Sequence, residues 1–176
     1  MTTNTADRRF MATDLARFIA AAYSAAGVPA ADADTAARLM VEADLVGADA
    51  HGIFRLAQYI DRIASGGLNK RANITVTRTA PATARVDGDN GLGALVVAKA
   101  AETAIAIARE TGVAWVGVHG SNHAGAASVY AALPMAAPGD DRALRHRDRT
   151  ANGVPLSPQV QAKLAAMATR LGIKAL

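Results

Sequence analysis

Gly112-Val113-Ala114-Trp115-Val116-Gly117-Val118-His119-Gly120-Ser121-Asn122-His123-Ala124-Gly125 is the stretch on which the fold turns. Val113 to Val118 is a short unbroken apolar run, the pattern of a strand buried on both faces of an α/β sheet. Gly120 to Gly125 reads as a loop, and a helix restarts near Ala126. A strand, a loop of small residues and a helix, in that order, form the place where open α/β sheets take their ligands.

Upstream, a long Ala/Ile helix is predicted from Ala94 to Thr111, stopped by Gly112. Before it lie two strands: Ile74-Thr75-Val76-Thr77, which alternates as a half-buried strand does, and Thr83 to Asp87. Asp87-Gly88-Asp89-Asn90-Gly91-Leu92-Gly93 is rich in turn formers. Further upstream the spacing changes to that of helices. Thr13-Asp14 caps one that runs through Phe18, Ile19 and Tyr23 to Gly27, ahead of Pro29. A second covers Asp32 to Val46, with Ala36, Leu39, Met40 and Ala43 on one face, and Asp49 caps a third from His51 to Ser65. Downstream, Pro138-Gly139-Asp140-Asp141 and the Arg-rich stretch after it read as irregular. A last helix runs from Ser157 or Pro158 to Arg170, carrying Val160, Leu164, Met167 and Leu171. Helices followed by β-β-α-β-loop-α predict an α/β architecture with a helical N-terminal cap.

Composition narrows the function. The 176 residues are 51% hydrophobic but only 4% aromatic, so the core must come from Ala, Val, Leu and Ile on closely spaced helices. The absence of cysteine excludes disulfides, thiolate metal sites and a cysteine nucleophile. Met1 to Arg9 has no apolar signal core, and the apolar runs are broken by Glu102, Arg109 and Glu110. The expectation is a cytoplasmic protein that does not engage a membrane. The net charge of +4 is small, and Arg142, Arg145, Arg147 and Arg149 alternate with Asp140, Asp141 and Asp148 without a nearby aromatic residue. That pattern is a solvated face rather than a nucleic-acid surface.

Two segments carry chemistry. In Asp49-Ala50-His51-Gly52-Ile53-Phe54-Arg55-Leu56-Ala57-Gln58-Tyr59, the residues His51, Arg55 and Tyr59 stand four apart and share one face of a helix, opposite Ile53, Leu56, Ile60 and Ile63. Arg55 can grip a carboxylate with two parallel hydrogen bonds, Tyr59 can add a third, and His51 can exchange a proton near neutral pH. In the second segment, His123 is a candidate general acid/base and Asn122 a hydrogen-bond partner. Ser121-Asn122-His123 has no nucleophile-elbow signature, which rejects a serine hydrolase. The glycines around Asp87 match neither a P-loop nor the dinucleotide fingerprint, and the histidine spacings fit no metal site.

Ala43-Asp44-Leu45-Val46-Gly47-Ala48-Asp49-Ala50-His51-Gly52-Ile53-Phe54-Arg55 with Tyr59 resembles the ADxxGxxSHGxxRxxxY signature of the malate/L-lactate dehydrogenase type 2 family. Val86-Asp87-Gly88, Gly91-Leu92-Gly93, Gly112-Val113-Ala114 and Ser121 to Ala127 with Tyr130 follow in that family's order and spacing, over residues 13 to 135. The resemblance implies the family's own α/β fold, with a helical N-terminal cap and a mixed sheet, not a Rossmann fold. It implies hydride exchange between NAD or NADP and C2 of a small 2-hydroxy or 2-oxo acid, in a homodimer. Carried over by position, His51 and His123 are the catalytic acid/base candidates, and Arg55, Tyr59 and Asn122 hold the substrate. Two departures stand out. Ala50 replaces the family's usual serine, and Pro138-Gly139-Asp140-Asp141 with the tail to Leu176 resembles the family's C-terminal segment, yet follows residue 137 directly. The expected organisation is a substrate and proton-transfer region, 1–137, joined to a family tail, 138–176, with the central cofactor region lost. Pro138, Gly139 and Asp140 are then the candidates for a remaining cofactor contact. The alternative expectation is a catalytically weak or inactive small-acid binding or oligomerisation remnant.

Overall fold

The computed structural model of the protein describes residues 8–131 and 141–176, with the backbone alone for 141–143. A short strand, β1 (Arg8–Phe10), precedes helices α1 (Ala12–Ala25), α2 (Ala30–Leu45) and α3 (Leu56–Ala64). Strands β2 (Thr75–Ala80) and β3 (Thr83–Gly91) form an antiparallel pair, α4 (Gly93–Thr111) crosses over, and β4 (Trp115–Ser121) returns parallel to β3. After α5 (Ala127–Ala131), the second described segment contains α6 (Asp141–Asn152), β5 (Val154–Leu156) and α7 (Pro158–Leu171). The architecture is α/β: a helical N-terminal cap beside a mixed three-stranded sheet ordered β2-β3-β4, with β1 and β5 paired separately.

Apolar spacing explains the cap. In α1, Leu15, Phe18, Ile19, Ala22 and Tyr23 fall on one stripe and are all buried. They meet Ala33, Ala36 and Ala37 of α2, each at most 1% exposed, so the two helices approach through alanines. The stripe Ile53, Leu56, Ile60 and Ile63 completes this core, each residue contributing roughly 2 kcal/mol by burial. The tail joins the same core. Val154, Leu156, Leu164, Met167 and Ala168 pack with Phe10, and β1 pairs with β5 in the register Arg8↔Leu156 to Phe10↔Val154. Gly172 ends α7 in a left-handed conformation.

Several expectations are corrected. Met11 occupies the N-cap of α1 without a side-chain bond, while Asp14 lies in the first turn and pairs with Arg17 at 2.6 Å. The Arg-rich stretch is not irregular: from Asp141 it is the helix α6, whose charged face packs on α2. The turn-rich Asp87–Gly91 belongs to β3, with the turn absorbed into a register shift where Asp89 and Asn90 take positive φ of 47° and 53°. The largest correction concerns β4. Continuous apolar sequence predicts burial on two faces, but Trp115 is 77% exposed, and Val113 and Val118 are exposed as well. Helix α4 covers one face of the sheet through Val86, Val96 and Ala100, whereas β2 is exposed along its full length and β4 is an edge strand.

Candidate active site

A separate core joins α2 to α4 and α5: Leu39 and Ala43 of α2, with Ala126, Val129 and Tyr130 at α5, backed by Ala94, Val97 and Ala98 of α4. The two segments singled out in the sequence meet at this seam. The rings of His51 and His123 stack, with centroids 5.6 Å apart and planes 17° from parallel. The Tyr59 hydroxyl lies 2.6 Å from His123 Nδ1, and the Gly125 N–H donates to the same nitrogen at 3.3 Å.

The first segment is not one helix. His51 ends a 3-10 turn, Asp49–His51, and Arg55 ends a second, Ile53–Arg55; only Tyr59 is on α3. The break falls at Gly52 and has a specific cause. Asp44, near the end of α2 and 1% exposed, accepts a 2.9 Å hydrogen bond from the Ile53 N–H. Its carboxyl fills the space beside Gly52 so completely that a Cβ there would lie 1.8 Å from Oδ1. Asp49, expected as a helix cap, makes no cap bond; it is ion-paired with Arg149 of α6, which also donates to the Asp44 carbonyl. Burial pushes the Asp44 carboxyl up to about 7, opposed by the Ile53 N–H.

The second segment is pinned from both sides. The Asn122 amide donates to Asn90 O and Asn90 Oδ1 at 2.9 Å and to Gly91 O at 3.0 Å, which commits its nitrogen to the end of β3. Tyr130 donates its hydroxyl to Ala124 O. The backbone of Asn122 and His123 lies against Gly93, where a Cβ would meet Asn122 O at 2.1 Å. His123 thus hangs from a fixed loop. Its imidazole is held below the ordinary histidine value, first by burial and then by Arg55 and His51. Burial pushes the Tyr59 phenol up, against the pull of Arg55.

Arg55 lies within electrostatic reach of both groups. Its guanidinium bonds to Ala50 O at 2.9 Å and Gln58 Oε1 at 3.0 Å, and among the described residues no carboxylate pairs with it. The space that His51 and His123 line together with Tyr23, Leu39, Tyr59 and Tyr130 is only about 20 Å³, room for one water. The start of α4 does not fit a dinucleotide phosphate. The start of α4, where a phosphate would be sought, is packed against the 122–123 backbone, and Asp87 and Asp89 stand on the strand leading to it. Pro138, Gly139 and Asp140, the cofactor candidates, lie outside the described residues.

The structure thus brings together His51, His123 and Tyr59, keeps Arg55 near them, and turns the Asn122 amide nitrogen away. Sequence reasoning placed Asp44, Gly125 and Tyr130 in the motifs and Arg149 in a solvated charged stretch, but gave none of them a role at the site. Asp44 had a legible signal, a carboxylate set in the buried face of α2 between Met40 and Leu45. Arg149 had none, because its partners are about a hundred positions away.

Comparison with known proteins bears on this geometry. The family model described as malate/L-lactate dehydrogenase matches residues 10–137. A malate dehydrogenase from Pyrococcus abyssi is 41% identical over 120 residues, covering 68% of this chain and 33% of that protein. An L-sulfolactate dehydrogenase from Methanocaldococcus jannaschii is 44% identical over 109 residues, 62% of this chain and 32% of that protein. The solved structure of the sulfolactate dehydrogenase from that organism superposes with a TM-score of 0.70 at 38% identity, covering 73% of this chain and 37% of that one. The chain spans about a third of the length of the curated relatives it matches.

Proposed function

The chain belongs to the malate/L-lactate dehydrogenase family, and from that premise we propose that it supplies the acid-binding and proton-transfer side of a 2-hydroxyacid oxidoreductase. The observation that carries this reading is the stack of His51 on His123, with Tyr59 bonded to the second ring and Arg55, which pairs with no carboxylate among the described residues, within electrostatic reach of it. Oxidation of a 2-hydroxy acid removes a hydride from C2 and a proton from the hydroxyl. The imidazoles handle the proton, and Arg55 holds the carboxylate by charge and by two aligned N–H groups. The lowered pKa keeps the His123 imidazole neutral at physiological pH, and the hydroxyl proton passes to a ring nitrogen that carries a free lone pair. The Ala50 side chain offers no hydrogen bond and its carbonyl is taken by Arg55, so specificity rests on Arg55 and the rings.

NAD or NADP is the partner reagent in this proposal, in a homodimer. No described residue is assigned to the nicotinamide, and Pro138, Gly139 and Asp140 remain candidates for contact with it. The blocked start of α4, in a chain that spans about a third of its relatives' length, favours a second form of the reading: a small-acid binder that turns over weakly or not at all by itself. The experiment is a titration with pyruvate, oxaloacetate and sulfopyruvate, followed by the ring resonances of His51 and His123. Saturable shifts are expected, with affinity at least tenfold weaker in Arg55→Ala and the fold retained. Absence of saturation for every acid refutes the proposal. Nicotinamide absorbance in a parallel assay with NADH and NADPH then separates an enzyme from a non-catalytic binder.

A further inference from the structure

We propose that Tyr59 is a positioning residue that locks His123 in one tautomer, with the proton of the neutral ring on Nε2. This rests on the proton-transfer reading above and identifies which imidazole edge carries the proton.

An imidazole nitrogen either donates or accepts, and a neutral ring has one of each. Two hydrogens converge on His123 Nδ1: the Tyr59 O–H at 2.6 Å and the Gly125 N–H at 3.3 Å. A backbone N–H has no alternative to donating, so Nδ1 is the acceptor. The Tyr59 hydroxyl, whose pKa burial raises, keeps its proton and adds the second donor. Nδ1 therefore carries the lone pair and Nε2 the hydrogen. Among the described residues, no group is hydrogen-bonded to Nε2 of His123 or to either ring nitrogen of His51. The two stacked imidazoles differ accordingly. His123 is fixed in position and tautomer: its neutral ring presents Nε2–H to the substrate as a hydrogen-bond donor, and its one basic nitrogen, Nδ1, is taken by Tyr59 and Gly125. His51, a stacked neighbour without a fixed tautomer, is left to accept the hydroxyl proton. The side chain at 59 acts on the substrate through His123 and does not spend its one donor on a carboxylate. The charged and titratable groups facing the His123 ring are Tyr59 from α3 and His51 and Arg55 from the 3-10 turns, with Tyr130 bonded to the adjoining Ala124 carbonyl.

The test is long-range proton–nitrogen correlation NMR on protein with ¹⁵N-labelled histidine, above the His123 titration. The wild type is expected to show Nε2–H over Nδ1–H by about ten to one. Tyr59→Phe lowers that ratio several-fold and raises the titration midpoint of His123, because the neutral ring has lost a donor. His51→Ala raises the midpoint but leaves the tautomer as it was. An Nδ1–H ring in the wild type overturns the proposal. So does a Tyr59→Phe ring with an unchanged ratio and midpoint, or a tautomer that switches in His51→Ala. The wild-type spectrum decides alone should Tyr59→Phe fail to fold. Failure to bind any 2-oxo acid, alongside an Nε2–H ring, refutes the functional reading and leaves the tautomer assignment standing.

Discussion

The turn at 49–55 and the strand β4 carry comparable sequence signals, yet the molecule treats them in opposite ways. The turn is held from behind by a buried carboxyl, from the side by Arg149 of a helix far along the chain, and from above by the His123 loop. Strand β4 is held on one edge by β3 and on one face by α4, and its tryptophan projects into solvent. The contrast teaches that apolar sequence measures what a segment can bury, whereas fixed geometry comes from polar groups whose partners leave them no alternative.

Glycine substitutions probe that contrast most severely. Gly52→Ala places a methyl group on the Asp44 carboxyl and should destabilise by about 3 kcal/mol or more, read as a lowered denaturant midpoint. Gly117→Ala, in β4, meets nothing within 4 Å and should shift the midpoint by less than about 0.5 kcal/mol. Equal effects would show that the turn is no more tightly packed than the strand.

The buried carboxyl makes the turn sensitive to pH. Its folded pKa of about 7 lies above the ordinary carboxyl value, so the native state binds the proton more tightly than the unfolded chain does. The resulting stability is fully present below the ordinary carboxyl pKa and is lost as pH rises towards 7, a change on the order of 2–4 kcal/mol. Asp44→Asn keeps an acceptor for the Ile53 N–H, and should flatten the stability profile between pH 4 and 7. A profile with unaltered slope would place the titration elsewhere.

Arg149→Ala removes the clamp of α6 on Asp49 and the Asp44 carbonyl. The expected cost is about 1–2 kcal/mol, with the resonances of His51 broadened or shifted and those of β2 unmoved. Smallest of all is Trp115→Ala, at most about 0.5 kcal/mol, because the ring is already 77% exposed. As Trp115 is the one tryptophan of the chain, its emission should match that of a hydrated indole and quench freely with acrylamide. A blue-shifted, protected emission would mean that the bare face is covered in solution.

Much of the fold was legible because it is written locally. Helix α7 begins at Pro158, within the expected start, with Ser157 accepting from the Val160 N–H, and α4 stops at Gly112 as expected. The site was legible in parts. The motif residues His51, Tyr59 and His123 do meet, but the helix drawn to align them does not exist, because helical spacing cannot see the Asp44 carboxyl that breaks it at Gly52. The exposure of β4 and the clamp by Arg149 depend on what lies opposite in space, and no window of neighbouring residues contains that information. Strands β1 and β5, three residues each, were too short for any periodicity to register.

The pairing of those two strands has a kinetic consequence. Phe10 meets Val154 across most of the chain's length, so during synthesis the first strand leaves the ribosome long before its mate exists. At roughly 5–20 residues per second, Phe10 waits several seconds or more with its edge and ring uncovered. The clasp that finishes the helical core is thus among the last contacts a nascent chain can make, and the interval before it closes is when the protein is most open to capture by a chaperone or by another chain.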